Sequence, residues 1–279
     1  MTNCSISLYA DDTALYFSAK NTVQIENVLN NEIALVSEWF GRNKLTLNTK
    51  KTKVMLFGTP YKVKHANPVE IKVNNETIEQ VHEFKYLGVI LDSSLKFAKH
   101  TDYITRKVNA KIAALGRVRN YLPNVLMLTL YKSLIRPHFD YCDIVWGCCP
   151  KYLQDRLQIL QNRALRIINK MDRYTSIDDL HNMSHIPTLK ERRKIHLQIF
   201  MYKVFHNLAP NTITSKFKRT NDAYSHSTRA AASNSFCIPS IDKDYGKNSL
   251  SYRGAICWNS ISPENRKLPS LPQFKRAAK

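Results

Sequence analysis

Two adjacent carboxylates, Asp11 and Asp12, stand between two short β-prone runs, Cys4–Tyr9 and Thr13–Ser18. Few local structures accommodate that pattern, and it predicts a hairpin with both Asp residues in or beside the turn. Two readings of the pair are open. Asp is frequent in solvated turns, because its carboxylate bonds nearby backbone N–H groups. Alternatively, a hairpin tip presents hard oxygen donors to a cleft without burying them unpaired, which suits a divalent cation such as Mg²⁺.

After the hairpin, apolar residues at Ile25, Val28, Leu29, Leu35, Val36, Trp39 and Phe40 recur at helical spacing and predict a helix over 21–43 packed on a small sheet. Lys53–Phe57 reads as a short buried strand. Val69–Val73 and Thr77–Val81 flank Asn74-Asn75, a pair suited to positive φ, and read as a second hairpin. Phe84–Leu91 reads as another strand. From about residue 98 the pattern becomes helical. Ile104, Val108, Ile112, Leu115 and Val118 form one stripe, with Arg106, Lys107 and Lys111 off it. A second helix starts near Pro123 and is ended or kinked by Pro137. A third runs over 151–170, with Arg156, Arg163 and Lys170 at seven-residue intervals on a shared face. A fourth, over 188–207, carries Lys190, Arg192, Arg193 and Lys194 in its first turns. Cations there oppose the helix dipole, so an external anion is one reason for them and a solvated face another. In 209–279, rich in Pro, Ser, Asn and Lys, a strand within His226–Pro239 and a helix over Ser251–Ile261 with Trp258 buried are expected. The fold class is therefore α+β: a small mixed or antiparallel sheet with a packed helix (1–98), a mainly helical region (99–208) and a basic, loop-rich C-terminal region (209–279).

Net charge separates these regions. Residues 1–100 hold 12 Lys/Arg against 10 Asp/Glu, residues 101–208 hold 18 against 8, and residues 209–279 hold 12 against 4. A total of +20 suits a polyanionic partner, most simply nucleic acid. No apolar run is long enough to span a membrane, and the N-terminus lacks a secretion-signal pattern, so an intracellular, non-secreted protein of nucleus or cytoplasm is expected. The 6 cysteines form no CxxC pair and read as reduced thiols. His181 and His185, four apart, lack a third ligand and read as structural.

The order of several short boxes adds to this reading. Tyr9-Ala10-Asp11-Asp12 resembles the acidic box in the palm of reverse transcriptases. Trp39-Phe40 with Asn43-Lys44-Leu45, then Asn48–Thr52 with Met55–Gly58, resemble the next palm motif. Phe84-Lys85-Tyr86-Leu87-Gly88-Val89 resembles the primer-grip segment. Pro137–Cys142, Gln161–Arg166, His206–Pro210 and Tyr252–Ala255 with Trp258-Asn259-Ser260 are similar to the region after the palm in non-LTR (LINE-type, Jockey-like) retrotransposon polymerases. The resemblance implies an RNA-directed DNA polymerase working by two-metal phosphoryl transfer with Mg²⁺, an RNA template, a DNA primer and dNTP. It makes Asp11 and Asp12 the metal carboxylates. Lys51 becomes a cation for the departing pyrophosphate, with Lys53 as alternative. Tyr86, Leu87 and Gly88 become the turn holding the primer end, or otherwise a sheet edge. Arg106, Lys107, Lys111, Arg156, Arg163 and Lys170 are candidates for the phosphate backbone.

The family's further metal-binding Asp, fingers and nucleotide pocket precede the acidic box, whereas only eight residues, Met1–Leu8, precede Tyr9 here. The expectation is the C-terminal part of such an enzyme, inactive in isolation. A non-catalytic nucleic-acid-binding remnant and a non-functional translated relic are the alternatives.

Overall fold

The computed structural model describes residues 4–223, 234–241 and 244–278. The chain divides into two compact units, Met1–His100 and Thr101–Lys279.

The first unit is built from hairpins around one long helix. β1 (Ser5–Tyr9) pairs antiparallel with β2 (Asp12–Tyr16), β3 (Lys72–Val73) with β4 (Glu76–Thr77), and β5 (Glu83–Tyr86) with β6 (Val89–Asp92). Each pair is a separate two-stranded ribbon. α1 (Thr22–Arg42) starts where the Asn21 side chain accepts from the Val23 N–H. It packs Leu29 and Ile33 on a core of Val69, Ile71, Val73 and Ile78. Its polar side chains take the place of a neighbouring strand. Glu26 accepts from the Glu70 N–H, while Asn30 donates to the Glu70 carbonyl and accepts from the Lys72 N–H. That arrangement satisfies backbone groups which would otherwise be unpaired beside the helix.

Two strand expectations change here. Lys53–Phe57 makes only one parallel bridge, Val54 with Gln80, because Val54 bonds the backbone of Glu79 and Val81 and the pairing stops there. Phe84–Leu91 is not one strand. Leu87 and Gly88, at φ 44° and 82°, turn the chain back, so it is the β5–β6 hairpin. The first unit ends in a loop held by Asp92, whose carboxylate accepts from the N–H groups of Ser94, Lys96 and Phe97 and from the Ser94 hydroxyl. The short helix α2 (Pro60–His65) completes the unit.

α3 (Ala98–Val118) buries Ile104, Val108, Ile112 and Leu115 as its stripe requires. α4 (Asn124–Leu130) runs through a π-helical turn, Tyr131–Ile135, into α5 (Arg136–Asp140). Proline lacks an N–H and its ring crowds the carbonyl four residues back, so the wider turn before Pro137 absorbs what would otherwise break the helix. α6 (Asp143–Trp146) follows, then α7 (Lys151–Asn169), α8 (Ile177–Ser184) and α9 (Leu189–Phe205). α9 carries a capping box of Thr188 and Glu191.

The C-terminal elements are α10 (Asn211–Thr214), α11 (Thr220–Ala223), α12 (Asp244–Lys247), α13 (Leu250–Asn259), α14 (Pro263–Arg266) and α15 (Leu271–Ala277). They share a core with α9: Met201, Tyr202 and Val204 pack with Phe236, Ala255, Trp258 and Phe274. α13 lies so close to α9 that a Cβ on Gly254 would stand 2.6 Å from the Met201 sulfur. Trp258 is fully buried and donates its indole N–H to the Asn234 carbonyl. Much of the expected strand in His226–Pro239 lies outside the described residues. Its described end makes one antiparallel bridge, Arg219 with Phe236.

Candidate functional site

The Asp pair sits at the tip of the β1–β2 ribbon. Tyr9 pairs with Asp12, which leaves Ala10 and Asp11 as a two-residue loop with Ala10 at φ 50°. Both Asp residues are exposed. The three hairpin loops differ in their residues. The β3–β4 loop is Asn74-Asn75, at φ 49° and 67°, as the left-handed geometry favours. The two loops marked by the family resemblance instead place Ala10 and Leu87 in the left-handed region. Such a residue carries a penalty of about 1 kcal/mol or more, and strain of this kind concentrates at sites that position something else.

The other candidates of the first unit stand on separate elements. Lys51 is exposed in the turn after α1, its N–H bonded to Asn48. Lys53 is bound to Glu79 at 2.6 Å, so of the two lysines Lys51 is the one without an ion pair among the described residues. Tyr86 ends β5, and its hydroxyl is buried with no hydrogen-bond partner. Among the described residues no ion pair joins the Asp pair to Lys51, and Lys51 bonds Asn48 through its backbone. No third His, Cys, Asp or Glu among them joins Asp11 and Asp12 as a metal-holding group. The donor set is chemically right for a hard cation, but two carboxylates alone leave its near-octahedral shell incomplete.

In the second unit the cations are sorted by partner. Arg106 and Lys107 are exposed on α3, with Lys107 over the Tyr103 ring at 5.7 Å. Lys111 is half-buried. Burial, then the charges of Lys111 and Lys107, depress the His138 pKa. On α7, Arg156 pairs with Asp102 at 2.6 Å, while Arg163 and Lys170 are exposed and lie outside any ion pair described. Lys170 ends that helix in the left-handed conformation, φ 55°.

α9 answers the dipole question differently from an external anion. Arg192 clamps both oxygens of Asp140, the Nη2 contact being 2.6 Å, and Arg193 lies over the Trp146 ring at 4.9 Å. Next to them, His196 Nδ1 is 2.6 Å from the Asp143 carboxylate. Asp140, Asp143 and His196 bring their ligand atoms within 4.8 Å of one another. The Arg192 guanidinium already occupies Asp140, so the group is an internal ion network. Sequence reasoning missed it because Asp140 and Arg192 are 52 residues apart and share no local pattern. His181 is likewise structural: its ring bridges the Ile186 carbonyl and the Asn162 amide oxygen at 2.7 and 3.0 Å. All six cysteines are free. Among the described residues no helix is long and apolar enough to cross a membrane.

Comparison with known proteins follows the same division. Residues 1–91 match the sequence profile of the family described as "Reverse transcriptase (RNA-dependent DNA polymerase)". Over 214 residues the chain is 25% identical to the RNA-directed DNA polymerase from mobile element jockey of Drosophila melanogaster, covering 76% of this chain and 23% of that protein. Over 196 residues it is 27% identical to the probable RNA-directed DNA polymerase from transposon BS of the same organism, covering 68% and 21%. Over 153 residues it is 26% identical to a Pol polyprotein from the type-1 retrotransposable element R1 2 of Nasonia vitripennis, covering 53% and 37%. The chain thus spans between 20% and 23% of the length of the first four relatives. No solved structure is significantly similar to it. With the acidic hairpin, the turn at Leu87-Gly88 and similarity running well beyond residue 91, the chain is a relative of the LINE-type, non-LTR retrotransposon reverse transcriptases.

Proposed function

We propose that this chain is a portion of an RNA-directed DNA polymerase of a non-LTR retrotransposon, in which the first unit supplies part of the palm and the helices after it grip nucleic acid. The observation that carries this reading is the acidic hairpin: two exposed carboxylates on a ribbon tip whose first loop residue is left-handed, inside the segment that matches the reverse-transcriptase family. Reverse transcriptases work on nucleic acid and require a divalent metal. Here Asp11 and Asp12 would hold Mg²⁺, and the ion would supply Lewis-acid stabilisation of charge in phosphoryl transfer. Lys51, without an ion pair of its own, is the cation for the leaving group, and Tyr86, Leu87 and Gly88 hold the primer end.

The isolated chain binds RNA or DNA without copying it. Two carboxylates without a third carboxylate among the described residues do not fix two ions. Binding comes from Arg106, Lys107, Lys111, Arg156, Arg163 and Lys170, in a unit with 30 Lys/Arg against 12 Asp/Glu. The test is primer extension by the purified chain on an RNA template with a DNA primer and Mg²⁺, beside an Asp11→Ala/Asp12→Ala variant. The expected result is retained binding and no extension by either protein. Extension that the double substitution abolishes would show the carboxylate pair sufficient and overturn the non-copying half. Absence of any nucleic-acid binding would overturn the whole reading and leave the translated relic.

A further inference from the structure

The exposed side of α7 is not a plain solvated face. Tyr152, Arg156, Ile159 and Arg163 follow one another at spacings of four, three and four, which places them on one stripe, and Lys170 stands at the C-cap beyond its end. The opposite side is core: Leu153, Leu157, Leu160, Ala164 and Ile168 are buried. Tyr152 and Ile159 are each 65% exposed, far more than a large apolar side chain needs to be on a helix with its own packed face.

α3 borders this stripe. Asp102 meets Arg156 at one end, and a Cβ on Gly116 would touch Ile167 at 3.9 Å further along. The two contacts advance together along both chains, so the helices point the same way where they meet. Arg106, one turn after Asp102, shares its side of α3. Asp102 is occupied by Arg156, and the exposed Asp155 flanks the stripe, about 40° round α7 from Ile159 and about 100° from Arg156. Arg106, Arg163 and Lys170 are thus cations with no ion-pair partner among the described residues, interleaved with an aromatic and an aliphatic side chain.

Duplex nucleic acid offers phosphates to such a surface but keeps its base faces stacked inside. A single strand offers both phosphates and open base faces, which stack on aromatic side chains. Against a duplex, Tyr152 and Ile159 would have nothing apolar to cover. The cations recur roughly 10 Å apart along α7, leaving room for bases between phosphate contacts. The net charge of the unit argues for a polyanion rather than a protein surface.

We propose that the α3–α7 surface holds single-stranded nucleic acid, with Arg106, Arg163 and Lys170 on phosphates and Tyr152 and Ile159 against unpaired bases. The proposal rests on the nucleic-acid-binding reading above and names the strand state that this surface selects.

Fluorescence anisotropy of the full chain with a labelled oligothymidylate strand, and with a DNA duplex of equal length, tests it. Tyr152→Ala/Ile159→Ala is expected to weaken single-strand binding about tenfold or more and duplex binding less than about twofold. Tyr152→Phe, which keeps the ring, is expected to bind as the wild type does. Arg163→Ala/Lys170→Ala weakens both ligands and flattens the salt dependence by about one to two in log–log slope. All these positions are exposed, and thermal melting confirms that each variant is folded. Single-strand binding unchanged in Tyr152→Ala/Ile159→Ala, or duplex binding lost equally, overturns the proposal. So does self-association of the wild type that this variant alone abolishes, which would assign the face to a second copy of the chain. A wild type that binds neither ligand overturns the nucleic-acid reading itself, a different outcome from failure of the α7 variants alone.

Discussion

Residues 1–100 and residues 101–279 bury their apolar surface in different ways. Of the twelve largest fully buried side chains among the described residues, only Ile71 belongs to the first unit. The second holds Trp146, Trp258, Tyr131, Tyr202, Phe139 and Phe274. In the first unit Leu8, Tyr9 and Tyr16 are 71%, 65% and 57% exposed on a ribbon with little core of its own. A lone two-stranded hairpin is marginal in water. The charges divide the other way: the unit with the larger core also carries nearly all the positive excess, 30 Lys/Arg against 12 Asp/Glu, while the first unit is near balance. The candidate carboxylates and the positive excess are therefore carried by different parts of the chain. Losing one leaves the other measurable.

The strongest challenge to this division is Trp258→Ala. Removing a fully buried indole that also bonds Asn234 is expected to cost about 3–5 kcal/mol, read by urea unfolding. A loss below about 1 kcal/mol would mean that the α9–α13 core is not what supports the second unit. In the first unit the comparable lever is pH. Burial pushes His100 down from 6.5 to about 4, and its Nδ1 accepts the Ile90 N–H. The unfolded chain takes up that proton as pH falls through 6.5, while the folded chain stays neutral until about 4. Stability is therefore complete above pH 6.5 and lost toward pH 4, by up to about 3 kcal/mol. Melting across that range should show the loss, and His100→Gln should flatten it. An unchanged profile in His100→Gln would place the pH response elsewhere.

Smaller effects sharpen the contrast. Arg192→Ala removes the bidentate partner of Asp140, leaves it only the longer Arg136 contact at 3.7 Å, and should destabilise the second unit by about 1–3 kcal/mol. The Arg192→Ala/Asp140→Ala pair should cost less than the two single losses together, and strict additivity would remove the coupling. Ala10→Gly relieves a left-handed alanine and is expected to stabilise the first unit by about 0.5–1 kcal/mol, seen as slower amide exchange in β1 and β2.

Much of this was legible where a local period repeats. The β1–β2 hairpin, α1, the Asn74-Asn75 turn, and the stripes of α3 and α7 follow from two- or 3.6-residue spacing and from turn chemistry. What escaped depends on distant partners. Lys53–Phe57 has strand composition, yet only Val54 finds a bridge. The C-terminal region looks broken because polar side chains organise it. Asn259 bonds both backbone groups of Phe236, and the buried Arg266 bonds the Ile261 and Asn259 carbonyls and the Ser235 hydroxyl. α8 is too short to show a period, although Ser176 caps it. Of the candidate site, the Asp pair was visible as residues in a turn. The left-handed Ala10 and Leu87 were not, because neither residue type advertises that conformation.

The most direct measurement is the salt dependence of nucleic-acid binding by the whole chain, compared among the wild type, Asp11→Ala/Asp12→Ala, and Arg106→Ala/Lys107→Ala/Lys111→Ala. The account predicts a steep log–log slope for the wild type and the same slope for the Asp variant. For the triple variant it predicts a slope shallower by about two to three. A wild type whose binding ignores salt, or an Asp variant that loses binding while the triple variant keeps it, would contradict the division of grip and chemistry between the two units.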